Sequence, residues 1–215
     1  RLDWKENLIA TVNDRVSRAP VVAPGPDTWS GLSKDTDVYR PVNLVGHYIH
    51  EAEIHVYFPL MSPAGGPLGG QGYFIMTPFV SVDGWSVFVN RGFVPNHLKD
   101  HATRLQTLVG GEITISGLMR FSEPKNFATP DANTQKNIWY RRGTDELNAF
   151  AKLENAAPYW IDLKAGQGIA GLPQGGETRI VFTNSHLQYA FTWFSLALVL
   201  FGVVIVYLLR LRKQS

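Results

Sequence analysis

Apolar residues recur at close to helical spacing at the start of the chain: Leu2, Trp4, Leu8, Ile9, Val12 and Val16. The pattern predicts an amphipathic helix from about Trp4 to Ser17, stopped by Pro20, with its stripe as a packing face. A loop rich in Pro, Gly and Asp follows. From Tyr39 the period falls to two, and RPVNLVGHYI and EIHVYF read as neighbouring strands. LMSPAGGPLGGQG reads as a long flexible surface loop. Its glycines fit neither a P-loop nor a strand–GxGxxG–helix unit. YFIMTPFVSV and WSVFVNRGFVP flank Asp83 and Gly84, a pair suited to a two-residue hairpin turn. Asn90, Arg91 and Gly92 are placed where the chain leaves the second of these strands, and Pro95 closes it.

GGEITISGLMRF, NIWYRR, PYWIDL and ETRIVFT add further strands, about seven in all. NHLKDHATRLQTL is a short helix or a loop. Thr144 is an N-cap residue type with Asp145 and Glu146 in the turn behind it, favoured by the helix dipole. Leu147, Phe150, Ala151 and Leu153 give that helix an apolar face. The order of elements has no βαβ alternation. It predicts an α+β domain: an antiparallel, barrel-like sheet with two or three short helices.

The last pattern differs from all of these. Between Arg179 and Arg210 there is no Asp, Glu, Lys or Arg. A helix over Tyr189 to Leu209 would be about 30 Å long, the thickness of a bilayer core. Tyr189, Trp193 and Tyr207 stand where interfacial aromatics sit, and Arg210, Arg212 and Lys213 follow at once. The expectation is a transmembrane helix over 183–211 and a cytoplasmic or matrix tail over 212–215. The β-rich domain, 1–182, then lies on the periplasmic or intermembrane-space side of the bacterial or mitochondrial inner membrane. Because the chain opens on Arg1, a further segment upstream is expected.

Charge and composition narrow the partners. Arg210, Arg212 and Lys213 are three of the 20 Lys and Arg, leaving 17 against 18 Asp and Glu before them, a net charge of −1. This gives no electrostatic case for nucleic acid. There is no cysteine, so neither disulfides nor thiolate metal ligands are available.

His186 is the foremost candidate for chemistry. Thr183, Asn184 and Ser185 are capping types just ahead of it, which puts His186 in the first turn of the membrane helix. The helix dipole there disfavours the imidazolium and keeps a nitrogen lone pair free for a metal. Tyr189 and Trp193 fall on the same helical face. A neutral imidazole at the headgroup level suits axial ligation of haem iron; the plainer reading is an interfacial histidine. His47, His50 and His55 cluster on two strands, but His47 and His50 face opposite sides. His97 and His101 have helical metal-pair spacing without a supporting Glu. Arg91 is either a salt-bridged turn residue or a clamp for an anionic group such as a propionate. No GxSxG elbow is present, and a non-enzymatic protein is expected.

VNRGFVP, WKENLI, PKNF…IWY and PQGG…TNSHLQYAFTWF together resemble the surfeit-locus cytochrome c oxidase assembly factors, from Trp4 to about Leu211. The resemblance implies two transmembrane helices around an outer domain, with the first span upstream of Arg1. It implies assistance to the haem–copper oxidase, with transient haem a bound and passed to subunit I. The family's haem role falls on His186, with Tyr189 and Trp193 packing the ring and Arg91 as partner or structural residue. Ser185 stands where the family usually has Asn, and Phe93 where Trp is common. The rival expectation is an interaction module that stabilises an oxidase assembly intermediate, or associates with the complex, without touching haem.

Overall fold

Eight strands form among the described residues of the computed structural model, which are 12–127, 129–169, 171–177, 192–204 and 210. The strands are β1 (Val21–Val22), β2 (Pro41–Tyr48), β3 (Ile54–Leu60), β4 (Gly70–Ser81), β5 (Ser86–Pro95), β6 (Ile113–Phe121), β7 (Ile138–Trp139) and β8 (Ala156–Leu163). Residues 12–17 are helical (α1), the described end of the predicted first helix. Two further short helices are α2 (Lys34–Asp37) and α3 (Thr144–Phe150). The chain divides into two units, Arg1–Arg179 and Ile180–Ser215.

In the first unit the sheet runs β1-β2-β6-β8-β5-β4-β3-β7, and an added β2–β4 pairing closes five of these strands into a barrel. The sheet is mixed rather than antiparallel: β5 pairs with β8 in parallel, as do β1 with β2 and β3 with β7. Side-chain alternation is blind to strand direction, so the pattern could not show this. Nor are β2 and β3 paired with each other. Both lie against β4, β3 along Ile54–Leu60 and β2 at Gly46–Tyr48. The 3-10 turn His50–Ala52 separates them.

Alternation along β5 and β8 serves two cores, one on each face. Val87, Val89, Tyr159, Ile161 and Leu163 join Val42, Phe79, Ile115 and Met119 inside the barrel. Phe88 and Trp160 point the other way and meet Ile54, Phe74, Trp139 and Leu147 of α3. The Arg142 and Arg120 guanidinium carbons lie 4.6 and 5.2 Å from the Trp160 ring centre, so two cations cover this indole.

Two turn readings change. The β4–β5 turn spans Ser81 to Gly84, with the Gly84 amide donating to the Ser81 carbonyl at 3.0 Å. Only Gly84 (φ 82°) takes a positive φ, whereas a two-residue I′ turn needs it at both centres. Gly143, not Thr144, caps α3, and no side chain of its own serves. Ser122 Oγ supplies the acceptor instead, taking the Thr144 amide at 2.9 Å. ETRIVFT lies beyond the described residues from position 178 onward.

In the second unit residues 192–204 are helical, and Trp193, Phe194, Leu198 and Phe201 on it are exposed. No helix among the described residues is long and apolar enough to cross a membrane. The remainder of the predicted span lies outside them.

Phe79 is fully buried in the barrel, so Phe79→Ala should cost about 3–5 kcal/mol in chemical denaturation. A loss below about 1 kcal/mol would mean the barrel interior is not packed as described.

Candidate functional site

Arg91 does not sit past the end of a strand. It lies inside β5, at an irregularity where Arg91 and Gly92 stand opposite the single residue Ile75, between the pairs Met76–Asn90 and Phe74–Phe93. This is a β-bulge. Val87, Val89 and Arg91 share the barrel face, and the extra residue returns Phe93 to the outer core.

Asn90 holds the bulge. Its Oδ1 accepts the Gly92 amide at 3.1 Å, and its Nδ2 donates to Asp162 Oδ1 of β8 at 2.7 Å. Asp162 is held in turn by Arg120 Nη1 at 3.1 Å. Gly92 has φ 127°, and a Cβ there would meet the Gln174 backbone at 2.2 Å. The Phe93 and Gln174 amides each donate to the other's carbonyl at 2.8 Å.

Gln174 and Glu177 also fix the glycine-rich loop, which is therefore pinned and not free. Gln174 Oε1 accepts the Leu68 amide at 2.8 Å and Nε2 donates to the Leu68 carbonyl at 2.9 Å. Glu177 accepts the Ala64 and Gly65 amides at 2.9 and 2.8 Å. The physical reason is that these backbone amides have no ladder of their own, so distant side chains satisfy them.

The bulge delivers the guanidinium of Arg91, a residue 3% exposed, to one end of the barrel. Nη2 donates to the Thr107 carbonyl, and Nη1 faces His50 Nδ1 at 3.4 Å. The guanidinium carbon lies 4.9 Å from the Tyr48 ring centre. Arg91 makes no ion pair among the described residues. His50 Nε2 lies 2.8 Å from the Val109 carbonyl and must carry the proton, because a carbonyl only accepts. Nδ1 is then bare and accepts from Arg91, so the imidazole is neutral. Burial, with the Arg91 charge beside it, pushes the His50 pKa below its ordinary value. Burial likewise pushes the Tyr48 phenol up. Beyond Arg91 lies a cleft of ≈ 320 Å³ walled by Tyr48, Val109, Ile113, Ile115, Leu163 and Ile169, with Gln167 among its few polar groups.

The other histidines do different work. His55 Nε2 lies 2.9 Å from Glu53 Oε1, and Glu53 is also paired with Arg104, a wholly buried arginine. Burial alone would raise the Glu53 pKa, but the hydrogen bonds from His55 and Arg104 and the Arg104 charge outweigh it and hold the carboxyl low. Arg104 Nε donates to the Leu98 carbonyl at 3.0 Å, tying the 3-10 segment His101–Thr107 down. His97 and His101 line a separate cleft with His50 and His55. Among the described residues no group of three metal-ligating side chains forms. His47 is exposed on β2. No sequence pattern points to the Glu53–Arg104 pair, since an arginine in a polar stretch reads as a surface residue. His186 and Tyr189 lie outside the described residues, and Trp193 is exposed on the helix 192–204.

A family model described as the SURF1 family matches residues 1–198. The chain belongs to the SURF1 family. Surfeit locus protein 1 of Homo sapiens is 34% identical over 208 residues, covering 92% of this chain and 67% of that protein. The Rattus norvegicus protein of the same name is 34% identical, covering 91% and 65%. A SURF1-like protein of Drosophila melanogaster is 34% identical, covering 90% and 66%. The chain thus spans about two thirds of the length of these relatives. Two of the motifs that mark the family in this sequence, VNRGFVP and PQGG, meet at the Phe93–Gln174 pairing.

Gly92→Ala should lower stability by roughly 1–3 kcal/mol or more, from the positive φ and the Gln174 contact together; an unchanged unfolding midpoint would contradict that geometry. The depressed His50 pKa means the unfolded state takes up this proton first as pH falls. Stability from His50 is therefore intact above about 6.5, the ordinary value, and declines below it. His50→Gln should flatten the stability–pH curve just below that point, measured by denaturant titration at a series of pH values.

Proposed function

We propose that this chain is a non-enzymatic membrane factor for assembly of the haem–copper cytochrome c oxidase. It holds haem a transiently through His186 and passes it to subunit I. The observation that carries the oxidase role is membership of the SURF1 family over residues 1–198, with the assembly role that the family resemblance implies. The bilayer reading is supported by the charge-free run from Ile180 to Leu209 and by the exposed apolar side chains of the helix 192–204.

The sequence supplies residue types that suit the cofactor. His186 would offer a neutral imidazole to the iron. Tyr189 and Trp193 follow three and seven residues on, the spacing that would set their rings on one side of a helix. Arg91 offers the two-point donor that suits a propionate, and it has no carboxylate partner among the described residues. Bound haem a would be the cargo itself, an electron-transfer group destined for the oxidase. Here the chain's task is to keep a lone pair available at His186 and to give an apolar ring a surface to lie on.

The test is a purification from cells that make haem a. A Soret band is expected in the purified protein, with loss of most of it in His186→Ala while subunit I still co-purifies. Co-purification of subunit I with no Soret band, or a band unchanged in His186→Ala, would leave an interaction module and remove the haem assignment.

A further inference from the structure

The Arg91 guanidinium has five N–H donors, and two contacts are accounted for: the Thr107 carbonyl and His50 Nδ1. Both acceptors are neutral. Other arginines of the barrel unit are treated differently, Arg104 meeting Glu53, Arg120 meeting Asp162 and Arg142 meeting Glu123. The two η nitrogens make these contacts, and Arg91 is itself one of the residues that line an open space. That space is the cleft at the barrel end, whose walls are Tyr48, Ile113, Leu163 and Ile169. The Glu53 carboxylate acts on it without an ion-pair contact and is already paired with Arg104 and His55, and a buried cation with no anion in contact is costly. A volume of ≈ 320 Å³ is at the small end of ligand clefts, room for one acidic arm or a short acyl chain rather than a flat macrocycle.

We infer that the barrel end is a binding site for a carboxylate carried on an apolar body, the acid paired to Arg91 and the apolar part lying against Ile113, Leu163 and Ile169. Neutral His50 and the Thr107 carbonyl position the guanidinium and leave its other edge free for two-point pairing. Tyr48 covers the cation from one face. The carboxylate has two possible sources, a free alkyl acid or the propionate of a bound haem. The inference does not depend on His186, because the cleft, its cation and its walls all belong to the barrel unit.

The probe is decanoate, titrated below its micelle concentration onto the full chain in detergent, by calorimetry and by the shift of its labelled carboxyl carbon. Saturable binding is expected, with decanol at least about tenfold weaker, as a charge-assisted hydrogen bond requires. Arg91→Gln should abolish the difference between acid and alcohol. Because Arg91 is buried and that variant can lose its fold, Ile169→Glu provides a second test. Ile169 is 44% exposed, and a negative wall there should weaken decanoate at least about tenfold more than it weakens decanol, which loses only the apolar contact. Haemin added to the decanoate complex separates the sources: displacement of decanoate assigns the acid to a haem propionate, and no displacement assigns a free acid. Absent binding in wild type, equal affinity for acid and alcohol, or full decanoate binding in both variants would overturn the site. His186→Ala should keep its decanoate affinity, so failure of the haem assignment and failure of this site are told apart.

Discussion

One extra residue in β5 sets the geometry of the barrel unit. A regular strand would keep Phe93 on the barrel face with Val87 and Val89. The bulge at Arg91 and Gly92 returns it to the outer core, where it packs edge-on against Phe74 at 6.2 Å. The same irregularity leaves Arg91 pointing into the barrel. A bulge sacrifices ladder hydrogen bonds, so it persists only if other groups satisfy the backbone. Asn90 does this locally through the Gly92 amide, and Gln174 does it from the far end of the unit through Phe93. The short string VNRG thus encodes a clamp, a cation and a residue without a Cβ, each needed for a separate reason.

Charge placement follows from that geometry. The barrel unit buries several ionic groups and pairs most of them, as low-dielectric surroundings demand. Glu53 and Arg104 join β3 to the 3-10 segment over His101–Thr107, and Asp162 links Arg120 to the bulge through Asn90. Arg91 stands apart because its nearest groups are a carbonyl, a neutral imidazole and a phenol ring. The neutrality of His50 is part of the arrangement: protonated, it would lose its acceptor and set a second cation against the first.

Much of the fold was legible in the pattern of apolar and polar residues. It marked β2, β3 and β6 by their repeat of two, the short β7, and β4, β5 and β8, buried on both faces, by their runs of apolar and aromatic residues. It also located the hairpin at Gly84 and the apolar face of α3. What it could not carry was pairing direction, the separation of β2 from β3, and the bulge, since a single inserted residue leaves no periodic trace. The glycine-rich loop looked free for a related reason. Its restraints, Gln174 and Glu177, lie 106 and 113 residues away in sequence. Arg91 was singled out by its neighbours Asn90 and Gly92, but its burial came only with the fold. The family was legible from motifs, and two of those motifs prove to be one structural joint.

The central claim is that Asn90 and Gln174 lock the β5 bulge and so fix Arg91 at the barrel end. Amide hydrogen exchange of Gly92 and Phe93 in the full chain tests it most directly. Both amides should be protected to the level of the central β5 residues Val87 and Val89, with Gly92 protection lost in Asn90→Ala. Exchange of either amide in the wild-type protein at the rate of an unstructured chain would contradict the account.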